Sequence, residues 1–277
     1  MSLEAVEREL INPETDSLWE LFHENSKMSW HDPYPINKGR LPEAAIVSVM
    51  RSLHEVKQFK GAARIPLPSE MPVSRRSFDD VLSTRVSARQ FGGEAVRLDQ
   101  LAKVLHMSYG VTRDNAGTHF PRPFRTIPSG GALYPLNIYV HATRVEGLGA
   151  GLYHFNPNEH ALDVLREGDE ITRVAGSLIQ GDLALRAAAV LFITATFHRT
   201  VFKYGDRGYR FVLLEAGHLA QNANLTAQEM GLATTNIGGY TDRNIDRLLG
   251  LDGVNESTVY LMLLGRPSAE ATGPDIT

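Results

Sequence analysis

The chain has 277 residues, of which 43% are hydrophobic, and such proportions are ordinary for a protein with a substantial buried core. Its 28 basic and 32 acidic residues leave a net charge of -4, which favours neither nucleic acid nor an anionic membrane surface as a partner. Cysteine is absent, so disulfides, thiolate nucleophiles and cysteine-ligated metal centres are excluded. Any redox chemistry therefore requires a bound organic cofactor.

The amino-terminal 20 residues mix acidic and apolar side chains and lack the basic stretch and apolar run of a signal peptide. No apolar segment of the sequence approaches the length of a membrane-spanning helix. We therefore expect a soluble, cytoplasmic protein that has no membrane partner.

Residues 1–75 are predicted to form an amino-terminal arm. An amphipathic helix is expected at Ala44–Val56, and proline-rich stretches occur at 32–35 and 65–68. Residues 76–277 are predicted to form the main domain, because the periodicity of apolar residues strengthens from Ser77 onward.

The main domain is predicted to mix helices and strands. Helical spacing or helix-forming residues predict helices at Phe78–Ser83, Arg97–Tyr109 and Tyr209–Met230, and a short helix ending at Leu249. Apolar and β-branched runs predict strands at Asn137–Thr143, Gly151–Phe155, Ala187–Phe197 and Thr258–Leu264, with a glycine-containing loop at Asn236–Thr241. Because the order lacks a regular βαβ alternation, an α+β sandwich is expected.

The first candidate binding motif is Arg85–Phe91, which reads Arg-Val-Ser-Ala-Arg-Gln-Phe. Two guanidinium groups and a hydroxyl within seven residues suit a phosphate, since arginine forms bidentate, charge-assisted hydrogen bonds to phosphate oxygens. Taken alone, the motif is more typical of a solvated basic turn.

The second motif is Pro128–Pro135, in which a glycine pair lies between two prolines just before a predicted strand. Glycine permits close approach of the backbone to another group. The backbone N–H groups of this segment could donate hydrogen bonds to the oxygens or ring nitrogens of a planar heterocycle. A tight turn without a ligand is the alternative.

The third motif is Lys203–Arg210, a polar and glycine-broken segment that we interpret as a loop between a buried strand and the long helix. A lysine beside a tyrosine supplies positive charge that can lower the pKa of the phenol. Because neighbours in regular structure point apart, Lys203 and Tyr204 are expected to face one substrate only if the backbone there is irregular.

On the long helix, Glu215 and His218 are three residues apart and share one face. No third metal ligand is evident, so a hydrogen-bonded, partly buried pair is the preferred interpretation and no metal site is predicted. The chain also lacks a Walker loop, a dinucleotide-binding glycine motif after a strand, and a nucleophile elbow.

Together, the first two motifs resemble the nitroreductase superfamily, in which an RxSxRxF-like segment binds the phosphate of FMN and a Pro-Ser loop approaches the flavin ring. The glycine pair, followed by Gly151–Phe155 and Gly217–Asn222, is similar to the SagB-type branch, which contains oxidases of thiazoline and oxazoline rings. Phe22–Lys27 and the 65–68 stretch are also similar, so the resemblance covers nearly the whole chain.

The resemblance implies a nitroreductase-like FMN-binding sandwich, with helices around a mixed but mainly antiparallel sheet, that forms a homodimer with FMN at the interface. It implies catalytic roles for Lys203 and Tyr204. In this chain Ala132 stands where many nitroreductases have asparagine, so one side-chain contact to the flavin is missing. The implied cofactor-binding residues are Arg85, Val86, Ser87, Arg89, Pro128, Ser129, Gly130, Ala132, Ile237, Gly238, Gly239 and, less directly, Arg266.

The implied reaction is the oxidation of a peptide azoline ring, in which Tyr204, assisted by Lys203, removes a proton while a hydride passes to FMN. Oxygen is the expected final electron acceptor. The peptide is either ribosomal or tethered to a carrier domain. Two alternatives are an NAD(P)H-dependent reductase of nitroaromatics or quinones and a flavin-free scaffold protein of a modifying complex.

Overall fold

The computed structural model describes residues 18–28, 42–54, 56–114, 117 and 123–268. In the predicted arm it contains helices α1 (Leu18–Asn25) and α2 (Glu43–His54), followed by the short strand β1 (Arg64–Pro66). The predicted helix at Ala44–Val56 corresponds to α2, and the proline-rich stretch at 32–35 lies outside the described residues. Because β1 pairs with a strand of the main sheet, the predicted arm contributes an edge strand to that sheet.

The remaining elements follow in chain order. They are α3 (Phe78–Thr84), β2 (Val96–Arg97), α4 (Leu98–Tyr109), β3 (Val111–Arg113), β4 (Phe124–Arg125), β5 (Leu136–Ala142), β6 (Val145–Glu146), β7 (Gly151–Asn156), β8 (Ala161–Glu167), α5 (Ile171–Ala175), α6 (Gly181–Arg186), β9 (Ala189–Thr196), α7 (His198–Tyr204), α8 (Arg207–Glu229), β10 (Ala233–Ile237), α9 (Asp242–Leu249) and β11 (Glu256–Gly265). The predicted main-domain helices are α3, α4, α8 and α9, and the four predicted strands are β5, β7, β9 and β11.

A seven-stranded sheet forms the centre of the domain, in the order β1-β8-β7-β5-β9-β11-β10. Every neighbouring pair in this sheet is antiparallel. Within the described residues, parallel pairing is limited to the two-residue ladder between β2 and β6. The expected α+β fold with a mainly antiparallel sheet is confirmed.

Helices cover both faces of the sheet. Successive side chains of a strand point to opposite faces. In β5, Ile138 and Val140 therefore pack with α4 and α8 on one face, while Tyr139 packs with α5, α6 and α9 on the other. Because both faces are covered, all seven residues of β5 are buried.

Helix α8 is the longest element, with 23 residues and a length of about 34 Å. Apolar side chains recur at helical spacing and are buried against the sheet, among them Val212, Ala216 and Leu219. The chain leaves the helix at Gly231, whose φ of 70° is the left-handed conformation that favours glycine. Among the described helices, none is both long and apolar enough to cross a membrane.

One predicted loop is too long and another is wrong. The loop predicted at Asn236–Thr241 begins inside β10, because Asn236 and Ile237 pair with β11. The loop predicted at Lys203–Arg210 is mostly helical, since α7 ends at Tyr204 and α8 begins at Arg207. In addition, β8 was not predicted.

Candidate active site

Residues 128–135, called the glycine loop below, adopt a strained backbone just before β5. Gly131, Ala132 and Tyr134 have positive φ angles of 65°, 51° and 44°. For the two residues that are not glycine, such a conformation costs on the order of 1–3 kcal/mol each and persists only where the surroundings enforce it. Here the Tyr134 amide donates to the Ser129 hydroxyl at 2.9 Å, and the Tyr134 hydroxyl accepts a bond from the Arg125 amide at 3.1 Å.

Lys203 and Tyr204 both reach the centre of this loop. A Cβ atom placed on Gly131 would lie 2.7 Å from the Tyr204 hydroxyl oxygen and 2.9 Å from the Lys203 ammonium nitrogen. The same nitrogen lies 5.3 Å from the centre of the Tyr204 ring. Both side chains therefore face one place although they belong to the last turn of α7, so the expectation that this requires an irregular backbone is wrong.

Phe211, an aromatic residue of α8, also packs against this side of the loop. The ring of Phe211 meets the Tyr204 ring edge-on at a centroid distance of 5.0 Å. A Cβ atom on Gly130 would lie 3.3 Å from Phe211, so the loop backbone rests against this ring. The absence of side chains at Gly130 and Gly131 is thus explained by the close approach of three side chains from α7 and α8.

Beneath the loop lies Glu215 of α8, which is only 3% exposed. Its carboxyl accepts a hydrogen bond from the Tyr109 hydroxyl at 3.4 Å and is hydrogen-bonded to Ser129. Burial raises the pKa of Glu215 to about 7, against the opposing effects of the Ser129 bond, the charge of Arg125 and the Tyr109 bond. The pairing of Glu215 with His218 predicted from the sequence is wrong, because His218 is exposed and Glu215 bonds to α4 and to the loop.

Two arginines that sequence reasoning missed surround this cluster. The guanidinium of Arg125 lies 4.1 Å from the centre of the Tyr109 ring and 5.2 Å from that of Tyr134. The buried Arg199 of α7 donates to the Tyr134 carbonyl oxygen at 3.4 Å, and burial lowers its pKa. Neither arginine belongs to a recognisable motif. A carboxylate in the apolar stripe of α8, in contrast, is a sequence signal for a buried polar contact.

The second part of the candidate site is Arg85–Arg89, called the arginine segment below. Ser87 and Arg89 are exposed, Val86 is 67% exposed, and Arg85 is half-buried. The Arg85 guanidinium approaches the Ser87 hydroxyl at 3.5 Å, so these two side chains lie on the same side of the segment. Because Ser87 and Arg89 are exposed and Arg85 is only half-buried, the segment is accessible to an anion.

The arginine segment lies against β10. The Ala88 amide donates to the Thr234 carbonyl at 2.8 Å, and the Thr235 hydroxyl donates to the Ala88 carbonyl. Strand β10 ends at Ile237 and leads directly into Gly238 and Gly239. The structure therefore brings the arginine segment close to the strand that carries these three predicted flavin-contacting residues.

Arg266 also belongs to this group. Its carbonyl accepts a bond from the Gly92 amide at 3.0 Å, and its guanidinium donates to the Ala95 carbonyl at 3.2 Å. Gly92 lies three residues after the arginine segment, and Arg266 directly follows β11. The carboxyl end of β11 therefore lies close to the arginine segment.

The two parts of the candidate site lie at opposite ends of α8. Phe211 touches the glycine loop, whereas the Gln228 side chain donates to the carbonyl of Thr84, the neighbour of Arg85, at 3.1 Å. Phe211 and Gln228 are 17 residues apart on this helix, which corresponds to about 25 Å. The two parts therefore contact opposite ends of this helix.

A match to a protein-family model shows to which family the chain belongs. The Nitroreductase family model matches residues 82–266, which include the arginine segment, the glycine loop and the ends of β10 and β11. The chain belongs to the nitroreductase family.

Two named proteins are similar in sequence to the chain. The chain is 36% identical over 188 residues to MJ1384 of Methanocaldococcus jannaschii, which is named as a nitroreductase, and the match covers 68% of this chain and 90% of that protein. It is 34% identical over 147 residues to the microcin B17-processing protein McbC of Escherichia coli, covering 51% of this chain and 54% of McbC. The chain thus matches about half the length of McbC.

A solved structure supports the same fold. A chain of the E. coli microcin synthetase McbBCD complex, solved with truncated pro-MccB17 bound, superposes with a TM-score of 0.57 at 24% identity. The superposition covers 96% of this chain and 97% of that chain. With the match to McbC, the predicted resemblance to the SagB-type branch of the nitroreductase superfamily is confirmed.

Proposed function

We propose that this nitroreductase-family protein is an FMN-dependent oxidase that converts thiazoline or oxazoline rings of peptides to thiazoles or oxazoles. The observation that carries the proposal is the convergence of Lys203 and Tyr204 on Gly131, because it combines a base and a positive charge at the loop expected to meet the flavin. The match to McbC, a microcin-processing protein, supports a peptide as the substrate.

Two groups of residues fit an FMN molecule shared between two subunits. In one subunit Arg85, Ser87 and Arg89 would hold the phosphate, with Val86 and Arg266 beside them. Residues 237–239 of that subunit would then lie near the flavin ring. The glycine loop of the partner, through Pro128, Ser129, Gly130 and Ala132, would contact the ring from the other side.

Two observations support this homodimer. The two parts of the site contact opposite ends of α8, about 25 Å apart along the helix, and α8 exposes apolar side chains at Leu213 (43%) and Leu214 (60%) in its first half. A second copy that covers these leucines would also bring its glycine loop to the site.

The protein's own residues would position the ring and move its proton. Bound FMN would supply the two-electron oxidation. The Tyr204 phenolate would take the proton that leaves the azoline ring and become neutral, and the Lys203 ammonium beside it would stabilise the phenolate before that transfer. The missing side chain at Gly131 leaves both groups within reach of the loop surface.

A spectrum and a product assay test the proposal. The purified protein, reconstituted with FMN if colourless, should show flavin absorbance and should remove two hydrogens from a thiazoline-containing peptide in air, as measured by mass spectrometry. Flavin absorbance without this mass change would contradict the oxidase proposal. Failure to bind FMN would contradict the cofactor assignment.

Mixing two inactive variants tests the shared site. A chain with Arg85→Ala and Arg89→Ala is combined with a Tyr204→Phe chain and refolded or co-expressed. A mixed dimer then contains one site built entirely from unmutated residues, so activity should return. Persistent inactivity of isolated mixed dimers would contradict a site shared between subunits.

The second candidate function is an NAD(P)H-dependent reductase of nitro compounds or quinones. It is favoured by the 36% identity to MJ1384, which is named as a nitroreductase and is matched over 90% of its length. Steady NADPH consumption with a nitroaromatic acceptor, unchanged by Tyr204→Phe, would support this candidate over azoline oxidation.

A further inference from the structure

Glu215 is a buried carboxyl that the proposed chemistry does not use. It lies in the apolar stripe of α8 between Val212 and Leu219, where it is 3% exposed. A carboxyl at such a position is uncommon in a protein core unless other groups bond to it. Its partners are the hydroxyls of Tyr109, at 3.4 Å, and Ser129.

Each of these two hydroxyls also holds a backbone amide of the chain around the glycine loop. The Ser129 hydroxyl accepts a bond from the Tyr134 amide at 2.9 Å, and the Tyr109 hydroxyl accepts one from the Leu136 amide at 3.0 Å. A hydroxyl that accepts in this way still has its own hydrogen to donate. Glu215 accepts both hydrogens. It thereby connects the hydrogen bond between Ser129 and Tyr134 to the one between Tyr109 and Leu136, and these two bonds hold the carboxyl end of the glycine loop.

The charged and titratable groups around Glu215 and its partner Tyr109 come from four elements. Tyr109 belongs to α4, Arg125 to β4 and Arg199 to α7, and on α8 itself His218 is one turn away and exposed. Arg125 lies over the Tyr109 ring and lowers the pKa of Glu215, but burial has the larger effect and raises that pKa to about 7. Both the neutral and the ionised carboxyl are therefore populated at neutral pH.

We propose that Glu215 is a positioning residue that sets the shape of the glycine loop through Ser129 and Tyr109, and that loss of its proton loosens this loop. A neutral carboxyl remains buried without a desolvation penalty, whereas an ionised one draws water inward or moves toward Arg125. Either movement pulls the two hydroxyls away from the amides of Tyr134 and Leu136. The proposed effect of Glu215 on the loop does not depend on FMN. Any effect of the loop on FMN binding rests on the proposed function.

Hydrogen–deuterium exchange in the full-length protein without added FMN tests the proposal. Protection of the peptide covering residues 128–136, corrected for the intrinsic exchange rate, is compared at about pH 6 and about pH 8 in the wild type, Glu215→Gln and Glu229→Gln. Glutamine keeps the shape of the side chain but cannot ionise. Glu229 is the other glutamate of α8, and its carboxyl pairs with Lys103 at 2.7 Å, away from the loop.

Wild-type protection of this peptide should fall by about tenfold or more between the two pH values, as expected for the loss of a buried hydrogen-bonded state. Protection in Glu215→Gln should be equal at both pH values, and Glu229→Gln should behave like the wild type. The same pH dependence in Glu215→Gln as in the wild type, or none in the wild type, would overturn the proposal.

A second variant covers the case in which Glu215→Gln fails to fold. Tyr109→Phe removes one of the two links, so it should lower protection of residues 128–136 at the lower pH and shrink the change between the two pH values. Unaltered protection in Tyr109→Phe would overturn the proposal. FMN affinity is measured separately: exchange that depends on Glu215 in a chain that binds no FMN would support this inference while contradicting the proposed function.

Discussion

The glycine loop and the arginine segment differ in how they are prepared for a ligand. The loop holds two non-glycine residues at positive φ and rests on the buried carboxyl of Glu215, whereas the arginine segment presents exposed side chains from an irregular stretch beside β10. One part is shaped by buried contacts, and the other contributes mainly charge. Changes beneath the loop should therefore affect the reaction, and changes in the arginine segment should affect the affinity for FMN.

The largest effect is expected for Tyr204→Phe. If the Tyr204 oxygen takes the proton of the azoline ring, its removal should slow product formation by about 10²- to 10⁴-fold while FMN remains bound. The rate is measured by mass spectrometry and the bound FMN by absorbance.

Tyr209→Phe is the matched control for Tyr204→Phe. Tyr209 lies five residues further on, and its ring packs against Phe22 and Phe197 away from Gly131. This variant should retain nearly the wild-type rate. Equal rates in both variants would remove Tyr204 from the mechanism.

Folding stability should depend on pH through Glu215. Its pKa is about 7 in the folded chain and about 4.5 when unfolded, so between these values the folded state binds more protons. The stabilisation is therefore fully present below pH 4.5 and is lost as the pH rises to about 7, by on the order of 3 kcal/mol relative to Glu215→Gln. Urea unfolding across this range measures the difference, and parallel curves for the two proteins would contradict the assigned pKa.

Removal of one guanidinium from the arginine segment should weaken FMN binding and leave riboflavin binding unchanged. A charge-assisted hydrogen bond contributes about 1.5–3 kcal/mol, so Arg85→Ala or Arg89→Ala should each lower FMN affinity by about 10- to 100-fold. Riboflavin lacks the phosphate and serves as the comparison ligand, and the exposed Arg243→Ala on α9 serves as the control variant. An equal loss for both ligands would show that the segment does not hold the phosphate.

The smallest effect is expected for Gly131→Ala, and Gly231→Ala is its matched control. Both glycines have similar positive φ angles, but only Gly131 would place its new methyl group against Lys203 and Tyr204. Both variants should lose about 1 kcal/mol of stability from backbone strain, and Gly131→Ala alone should also slow the reaction. Urea unfolding and the product assay measure these effects; equal rates would place the lysine and tyrosine away from the reacting ring.

Long, regular elements could be predicted from the sequence because their pattern is local. The helix at α4 and the strands β5 and β7 begin and end within one residue of the prediction. Strand β10 was missed because it reads Ala-Thr-Thr-Asn-Ile, a short and polar run whose strand conformation depends on pairing with β11. Helix α7 was missed because its seven residues directly follow a buried strand and include Val201 and Thr200, which favour strands.

The candidate site was predictable as motifs but not as an arrangement. The residue types of the arginine segment and the glycine loop indicate what they can bind. The meeting of Glu215 with Ser129 and Tyr109 joins parts of the chain that are far apart, and no local pattern encodes it. The positive φ angles of Ala132 and Tyr134 are likewise imposed by tertiary contacts, since neither residue favours them.

An anaerobic single-turnover experiment tests the central claim most directly. The FMN-loaded protein is mixed with a thiazoline-containing peptide in the absence of oxygen and NAD(P)H, and flavin absorbance and peptide mass are followed together. The account predicts that the flavin bleaches as about one equivalent of peptide per bound FMN loses two hydrogens, and that Tyr204→Phe shows neither change. Bleaching by NADPH but not by the azoline peptide would contradict the account and identify the protein as a reductase.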